Sequence, residues 1–546
     1  MRVVIVGGVA AGMSAATRLR RLDEHAEIVV LEAGGQVSFA NCGLPYHVGG
    51  VIQERSALLR SADALARRFR LDIRVEHDVV AIDRGAKRVT VRAAGGAEQH
   101  ESYDVLVLAQ GASVSALPSD GSIPVHGLRT IDDMDAIVAA IDSGARRAVV
   151  AGGGYIGLET AENLVRRGLD VVVVARGDQV LRTLDAEMAA PVHDELRRNG
   201  VELRFGSAVV GVVGGSAVLE DGDRVRADLV IEATGVAPEA RLAEAAGLAI
   251  GPSGGIAVDA HHRTSDPDVL AAGDAAEKRD VVDGGAVLVA LAGLANRHGR
   301  AVADVIAGTP VDASPALGTA IVQVFSLAVG TLGWTEQRLR AAGRAHRVLH
   351  THPQQHAGYY PGAAVLAIKL LVDADTDLVL GAQLVGPDGV DKRTDVLATA
   401  IAGGITASAL SRLELAYAPQ FGSAKDPVNL AGYVAENLAS GAATTVQWHE
   451  LPQLQAAGWT LVDVRDPDEF AAGAIPGAVN VPLDELRDRH AELPAERVVV
   501  HCEVGQRGST AARLLAQLGH EVANLDGGYR TWSDGEATRQ HATDSA

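Results

Sequence analysis

One phrase occurs twice in this chain and limits its fold more than any other feature. Val3–Val6 is a short apolar run, Gly7–Gly12 (GGVAAG) a glycine turn, Met13–Leu22 a stretch of helical spacing, and Ile28–Leu31 a second apolar run that ends at Glu32. About 145 residues later the order returns as Ala148–Ala151, the turn Gly152–Gly157, the helical stretch Leu158–Arg167 and the run Asp170–Val174. Each is a βαβ unit, because the apolar period changes from continuous strand to helix and back across a turn only glycine makes easily. Two such units predict two bound dinucleotides, since backbone N–H groups at each helix start can receive a pyrophosphate.

The first turn reads as an FAD site. Gly7 permits the sharp turn, Gly12 permits close packing of helix on strand, and Gly8 and Ala11 lie in the same cradle. Val9 stands where the motif has its middle glycine. Glu32, twenty residues past Gly12, stands where an acid binds ribose hydroxyls. The phrase VLVLAQG ends at Gly111, and SDPDVLAAGDAA brings Gly273 and Asp274 to a strand end, where the aspartate would hold the ribityl chain.

The second turn fits GxGxxG through Gly152, Gly154 and Gly157, and LVIEATG ends at Gly235. An NADH site usually has an acid at the end of the following strand. Here that strand runs into Ala175-Arg176, and arginine can meet a 2′-phosphate. NADPH is therefore expected to be accepted, with NADH as the other candidate.

There are two cysteines, Cys42 and Cys502. That excludes a disulfide scaffold and a multi-cysteine zinc site, and no metal site is expected. It fits a reducing, cytoplasmic setting. A formal charge of -20 argues against a nucleic-acid-binding face. No apolar run approaches the ~18 residues of a membrane span, and the N-terminus enters a strand at once, without a signal-peptide pattern.

Cys42 lies in VSFANCGLPY, close after the first βαβ unit and so near the flavin's reactive ring. Position 47, where a second cysteine would complete CxxxxC, is His47, so an internal dithiol is impossible. A lone thiol there can form a mixed disulfide or persulfide with an outside sulfur compound, or cycle through sulfenic acid. Either route needs a thiolate, so a pKa below the free value of ~8.5 is expected, with Ser38 and Asn41 as hydrogen-bonding neighbours.

Residues 1–440 resemble the coenzyme A-disulfide reductase branch of the pyridine nucleotide-disulfide oxidoreductases, in SFANCGLPY, LAGLANRHGR (291–300), GYYPG (358–362) and YAPQFGSAKDPVN (417–429). The resemblance implies a mixed disulfide between Cys42 and coenzyme A. It also implies a homodimer in which Tyr417 and either Tyr359 or Tyr360 reach the partner subunit's cysteine. Arg18 and Arg21, three apart on one helix face, match positions near the coenzyme A phosphates, and Lys392 and Arg393 would add charge from the partner. Related peroxidases and oxidases carry a histidine where Ala10 stands, and glutathione-reductase-like enzymes a His-Glu pair where Tyr417 stands. Both departures favour thiol chemistry.

The C-terminal stretch contains LVDVR (461–465), DPDEFAAGAIPGAVNVP, a strand Val498–Val500 leading to His501-Cys502, the loop Cys502–Arg507, a helix from about Gly508 to Leu518, and DGGYRTW. It resembles a rhodanese domain, with Ala474 replacing a usual histidine. A cysteine between a strand end and a helix start is ringed by N–H donors, which together with Arg507 favour the thiolate. Asp463 and Arg465 would brace the loop. The small polar stretch 440–447 reads as a linker, and 533–546 as a frayed tail.

The expected architecture is α/β: an FAD-binding domain (1–115 and 245–318), an NAD(P)H-binding domain (116–244), an α+β dimerisation domain (319–438) and a rhodanese domain (448–536). The expected activity is NAD(P)H-driven reduction of coenzyme A disulfide, coenzyme A persulfide or polysulfide. The alternatives are an NAD(P)H oxidase or peroxidase using Cys42 sulfenic acid, and a sulfur carrier whose flavin core is structural.

Overall fold

A computed structural model describes residues 1–309, 311–493 and 497–544, and the chain forms two units. The first comprises 1–174 and 207–318, the second 175–206 and 319–546.

In the first unit a five-stranded parallel sheet runs in the order Val269–Ala271, Val105–Leu108, Arg2–Val6, Glu27–Leu31, Asp72–Arg74. Its central strands are covered on both faces, which explains their unbroken Val, Ile and Leu composition. Val6 is in register with Leu31 on one side and Leu108 on the other, so Gly7 and Glu32 leave the sheet at the same end. The helix Ala10–Leu22 packs on the helix Ala292–Ile306. Their contact is close: a Cβ on Gly299 would lie 2.2 Å from the Ala11 carbonyl oxygen. That crossing accounts for the second glycine in LAGLANRHGR, Gly299.

A second parallel sheet in this unit places Asp170–Val174, Arg147–Ala151, Leu229–Glu232 and Val125–His126 side by side. Both nucleotide-binding helices begin one turn earlier than apolar spacing predicts, at Ala10 and Tyr155 rather than Met13 and Leu158. Their first turns belong to the glycine cradles, so they carry none of the core-facing periodicity that marks the rest.

The second unit contains an antiparallel sheet in the order Ala320–Val324, Leu327–Gly333, Val379–Gly386, Ala367–Asp373, His346–Thr351. The helix Val390–Ala402 lies on it, and a Cβ on Gly330 would sit 2.1 Å from Thr394 Oγ1. The C-terminal module is a parallel sheet ordered Thr445–Val446, Glu521–Leu525, Arg497–His501, Thr460–Asp463, Val479–Asn480.

Two sequence expectations fail here. The stretch 440–447 is not wholly a linker: Thr445 and Val446 pair with Asn524 and Leu525 as an edge strand, so the C-terminal sheet begins before Trp448. The tail expected to fray, 533–546, is helical as far as it is described: Gly528–Asp544 is one helix, and residues 545 and 546 lie outside the described ones. This helix docks on Ala186–Arg198, where Thr538 Oγ1 donates to the Ala186 carbonyl at 3.0 Å. A Cβ on Gly535 would come within 2.5 Å of the Trp448 ring. Polar composition hides such a helix because its order comes from docking, not from an apolar stripe of its own.

Candidate redox and sulfur-transfer sites

The two glycine cradles are built alike. Gly7 has φ +98°, and a Cβ there would lie 2.3 Å from the Ala109 carbonyl oxygen; Gly152 has φ +119° and would meet Ala233 at 2.1 Å. Gly12 and Gly157 sit against the carbonyl oxygens of Gly7 and Gly152 at 1.8 and 2.1 Å for a notional Cβ. Neither following helix has a side-chain hydrogen bond at its N-cap, the helix end at which a pyrophosphate binds.

Beside the first cradle, Glu32 accepts hydrogen bonds from the backbone N–H of Gly8 (2.7 Å) and Gly34 (2.8 Å). Burial nevertheless raises its pKa. Asp274 follows Gly273 in a short turn, and burial raises its pKa too, against the opposing charges of Lys278 and Arg129. Gly273 lies against Ala11, 3.1 Å from a notional Cβ to its methyl. Gly111 and Gly235 terminate their phrases with φ +80° and +109°. The cradle, the acid at the strand end and the second acid suit the pyrophosphate, ribose and ribityl groups of FAD. At the second cradle a Cβ on Gly154 would meet nothing within 4 Å, which leaves room for a pyrophosphate. Arg176 follows the strand Asp170–Val174 by two residues.

Cys42 is exposed, in the turn Asn41–Gly43 that leads into the helix Leu44–Val48. Fully buried Leu44 and Val48 anchor that helix. The thiol's electrostatics differ from expectation: packing around the sulfur raises its pKa first, the Glu159 and Asp274 carboxylates raise it further, and its own backbone N–H lowers it. The protein groups present thus oppose the thiolate. Glu159 in turn accepts a 3.0 Å hydrogen bond from Tyr46, and burial raises the pKa of both. Sequence reading missed this pair, because Tyr46 and Glu159 are 113 positions apart and meet only through tertiary packing.

Ser38 and Asn41 were expected to hydrogen-bond the thiol. Instead, the Ser38 N–H donates to the Gly8 carbonyl at 2.8 Å, and the Asn41 amide donates to the Arg129 carbonyl at 3.3 Å. They shape the loop between the cradle and Cys42. Arg18 is paired with Asp304 at 2.7 Å, and Arg21 is exposed near the Phe69 ring.

The expected role of Arg393 is corrected. It is 1% exposed, and its guanidinium donates to Asp426 at 2.9 Å and to the Gln355 carbonyl at 2.6 Å. A buried arginine neutralised in this way cannot offer its charge to a phosphate. Lys392, at 3.3 Å from Asp426, stays partly exposed. In the same unit the Tyr359 and Tyr417 hydroxyls are 3.0 Å apart, whereas Tyr360 packs edge-on to His356.

Cys502 is buried, after the strand ending at His501. The helix begins at Gln506, so Gln506 and Arg507 belong to its first turn and not to the loop. Gly505, at φ +89°, caps that helix without a side chain and leaves its N–H groups free to face the loop. The carbonyls of Cys502 and Glu503 accept from the N–H groups of Tyr529 (2.8 Å) and Arg530 (3.0 Å). Asp463 and Arg465 brace the loop as expected: Arg465 donates to Asp463 (2.8 Å), Glu503 (3.1 Å) and the Gly473 carbonyl (2.6 Å). It also covers the Tyr529 ring. Arg507 is held by Glu469 at 2.7 and 2.8 Å, and Cys502 contributes to raising its pKa after Glu469 does.

Comparison with known proteins assigns these sites to a family. Residues 1–299 match the pyridine nucleotide-disulphide oxidoreductase model, and residues 319–427 match that family's dimerisation domain. The chain belongs to the pyridine nucleotide-disulphide oxidoreductase family. Residues 447–534 of this oxidoreductase match the rhodanese-like domain. The coenzyme A disulfide reductase of Staphylococcus haemolyticus is 33% identical over 441 residues, 80% of this chain and all of that one. The structure of reduced CoADR-RHD from Bacillus anthracis is similar over 98% of both chains, at 44% identity and a TM-score of 0.96. An NAD-dependent persulfide reductase from A. fulgidus is 36% identical, with a TM-score of 0.91, over 97% of this chain and all of that one. The oxidoreductase thus falls in the coenzyme A disulfide reductase branch, is FAD- and pyridine nucleotide-dependent, and carries a rhodanese domain. Among its described residues no helix is long and apolar enough to cross a membrane.

Proposed function

We propose that this enzyme reduces coenzyme A disulfide, coenzyme A persulfide or polysulfide at Cys42, and that Cys502 carries sulfane sulfur for the same substrates. The observation that carries the reading is the lone exposed Cys42 beside the first cradle, with Cys502 as the only other cysteine. Gly7, Gly8, Gly12, Glu32 and Asp274 would hold FAD, which would supply an electron pair drawn from the nicotinamide. Cys42 attacks one sulfur of the substrate, the S–S bond breaks, and a thiolate or hydrosulfide leaves and takes a proton. The mixed disulfide on Cys42 then accepts the electron pair and releases the second thiol.

Tyr359 and Tyr417, paired through their hydroxyls and open to solvent, could protonate a leaving thiolate across a dimer interface, the partner subunit's Tyr417 reaching Cys42. Arg21, which is exposed, and Arg18 and Lys392, which are paired with Asp304 and Asp426 but partly exposed, are the cations that could meet coenzyme A phosphates. Arg176 favours NADPH, while the A. fulgidus relative is NAD-dependent, so both nucleotides belong in the assay. The functional units are residues 1–115 with 245–318, 116–244, 319–438, and a rhodanese domain running to 536 that starts at the Thr445 strand. Two free thiols suit a reducing, cytoplasmic setting.

The test is anaerobic titration with NADPH and with NADH, followed by steady-state turnover of coenzyme A disulfide, coenzyme A persulfide and polysulfide. Cys42→Ser should lose reductase turnover and keep sulfur transfer at Cys502, and Cys502→Ser the reverse. Undiminished reduction in Cys42→Ser ends the reading. NADPH loss matched by oxygen uptake, with no sulfur acceptor added, would favour the oxidase chemistry instead.

A further inference from the structure

The rhodanese loop is not held by the rhodanese domain alone. Gly527 and Gly528, both at φ +67°, form a turn with two crowded sides. On one side a Cβ on Gly528 would lie 2.4 Å from the Cys502 carbonyl oxygen and 2.8 Å from the Gly505 nitrogen. On the other a Cβ on Gly527 would lie 3.0 Å from the Cβ of His350. His350 lies on the strand His346–Thr351 of the antiparallel sheet, outside the rhodanese domain. Its side chain is 1% exposed and is held at both nitrogens: Nδ1 lies 2.7 Å from Asp526 Oδ2, and Nε2 lies 3.1 Å from Glu187 Oε1.

Asp526 is the residue immediately before the glycine turn. It also accepts from Gln447 Nε2 at 3.2 Å. Glu187 is fixed by Lys369, which is itself fully buried among Asp185, Glu187 and Glu336. A continuous contact path therefore runs from the Lys369 cluster through Glu187, His350 and Asp526 to the turn that supports the back of the Cys502 loop.

We propose that His350 is a positioning residue for Cys502: its Nδ1–Asp526 bond sets the Gly527–Gly528 turn, and the turn holds the Cys502 carbonyl and the Gly505 N–H where the loop favours the thiolate. The role in sulfur transfer rests on the function proposed above; the effect on the Cys502 thiol does not. Burial opposes a charge on His350, but Asp526 and then Glu187 overcome it and raise its pKa to about 9, so the ring donates through both nitrogens at neutral pH. The loop needs such help because the cations near it, Arg465, Arg507 and Arg530, are engaged by Asp463, Glu503 and Glu469.

Two isosteric substitutions separate the two bonds. His350→Asn keeps a donor where Nδ1 was and loses the bond to Glu187. His350→Gln keeps a donor where Nε2 was and loses the bond to Asp526. The readout is the pH dependence of iodoacetamide alkylation in the full-length protein, followed by mass spectrometry. Cys42 is the internal control, since the chain has only two cysteines. The titratable groups around the Cys502 loop, namely His501, Asp463, Arg465, Glu503, Arg507 and Arg530, are the same in both variants.

The expected result is a Cys502 midpoint raised by about one pH unit in His350→Gln, that is, alkylation near neutral pH roughly tenfold slower. His350→Asn should stay near wild type, and Cys42 should be unchanged in both. Asp526→Asn provides a second test that keeps the side-chain volume, and it should behave as His350→Gln does. Equal midpoints in all variants, or equal shifts in His350→Asn and His350→Gln whatever their melting temperatures, would overturn the proposal. Sulfur transfer from thiosulfate to cyanide by the wild type is measured in parallel. Its absence would count against the proposed function and leave the alkylation comparison intact.

Discussion

The hydroxyls of Tyr359 and Tyr417 lie 3.0 Å apart, and both side chains are open to solvent, at 76% and 49% exposure. Their 58-residue separation is closed by the fold of the second unit, and the bond to Tyr417 raises the pKa of Tyr359. Tyr360 turns instead to the His356 ring, 5.6 Å away. The pair, and not Tyr360, is therefore the proton donor expected at the disulfide. Tyr359→Phe and Tyr417→Phe should each slow disulfide turnover by roughly 100-fold, the usual scale for removing a general acid. Tyr360→Phe should stay within a few-fold of wild type. Stopped-flow flavin reduction by NADPH should be unaffected in all three, and an equal loss in Tyr360→Phe would discredit the assignment.

Glu159 works against the Cys42 thiolate. Burial raises the thiol pKa first and the Glu159 charge raises it further, so removing that charge in Glu159→Gln should lower the midpoint of Cys42 alkylation. Cys502, on the same chain, should not respond. A rise in the Cys42 midpoint would mean that Glu159 acts chiefly through its hydrogen bond with Tyr46.

Arg176 should set the nucleotide preference. Arg176→Ala should lower kcat/KM for NADPH by roughly tenfold or more, since a charge-assisted bond to phosphate contributes about 1.5–3 kcal/mol. The value for NADH should change less than twofold. Equal losses with both nucleotides would assign Arg176 to structure rather than to the 2′-phosphate.

Lys369 sits at 2.5 to 2.9 Å from Asp185, Glu187 and Glu336 with no exposure of its side chain. These three carboxylates converge closely enough to hold a cation, and the lysine is that cation. Lys369→Met should destabilise the second unit by about 3–5 kcal/mol, because it leaves buried charges unpaired. Burial pushes Glu187 and Glu336 up, but Lys369 more than offsets it and holds both below the usual carboxylate range. Since their folded pKa values are depressed, their stabilisation is present above about pH 4.3 and is lost as pH falls through the folded values. The melting temperature of the wild type should therefore fall below pH 4, and that of Lys369→Met should be low already at pH 7.

Several parts of the site were legible because they depend on local rules. A glycine that must turn at positive φ beside a neighbouring strand, as Gly7 and Gly152 do, leaves the same mark wherever it occurs, and an acid or arginine at the next strand end is a fixed number of residues away. The local settings of Cys42, in a turn after the first cradle, and Cys502, after a strand end, were legible because each is written in a contiguous phrase. The errors have one source. Arg393 was read as a surface cation and is neutralised by Asp426, 33 residues on. The Cys42 thiol was expected to be acidic and is opposed by Glu159, 117 residues on by number. The tail helix was read as frayed and is ordered by Ala186–Arg198 and Trp448.

Sequence alone determined the two nucleotide cradles, the fused rhodanese-like module and the places of the two cysteines, since each is written in contiguous residues whose spacing follows the backbone. Only the tertiary structure decided which charges are free and which are paired, which tyrosines meet, and that His350 of one domain is bonded to Asp526 beside the glycine turn of another. Those outcomes depend on partners far apart in the chain, and burial changes what a charge or a hydroxyl can do by amounts that no local pattern records.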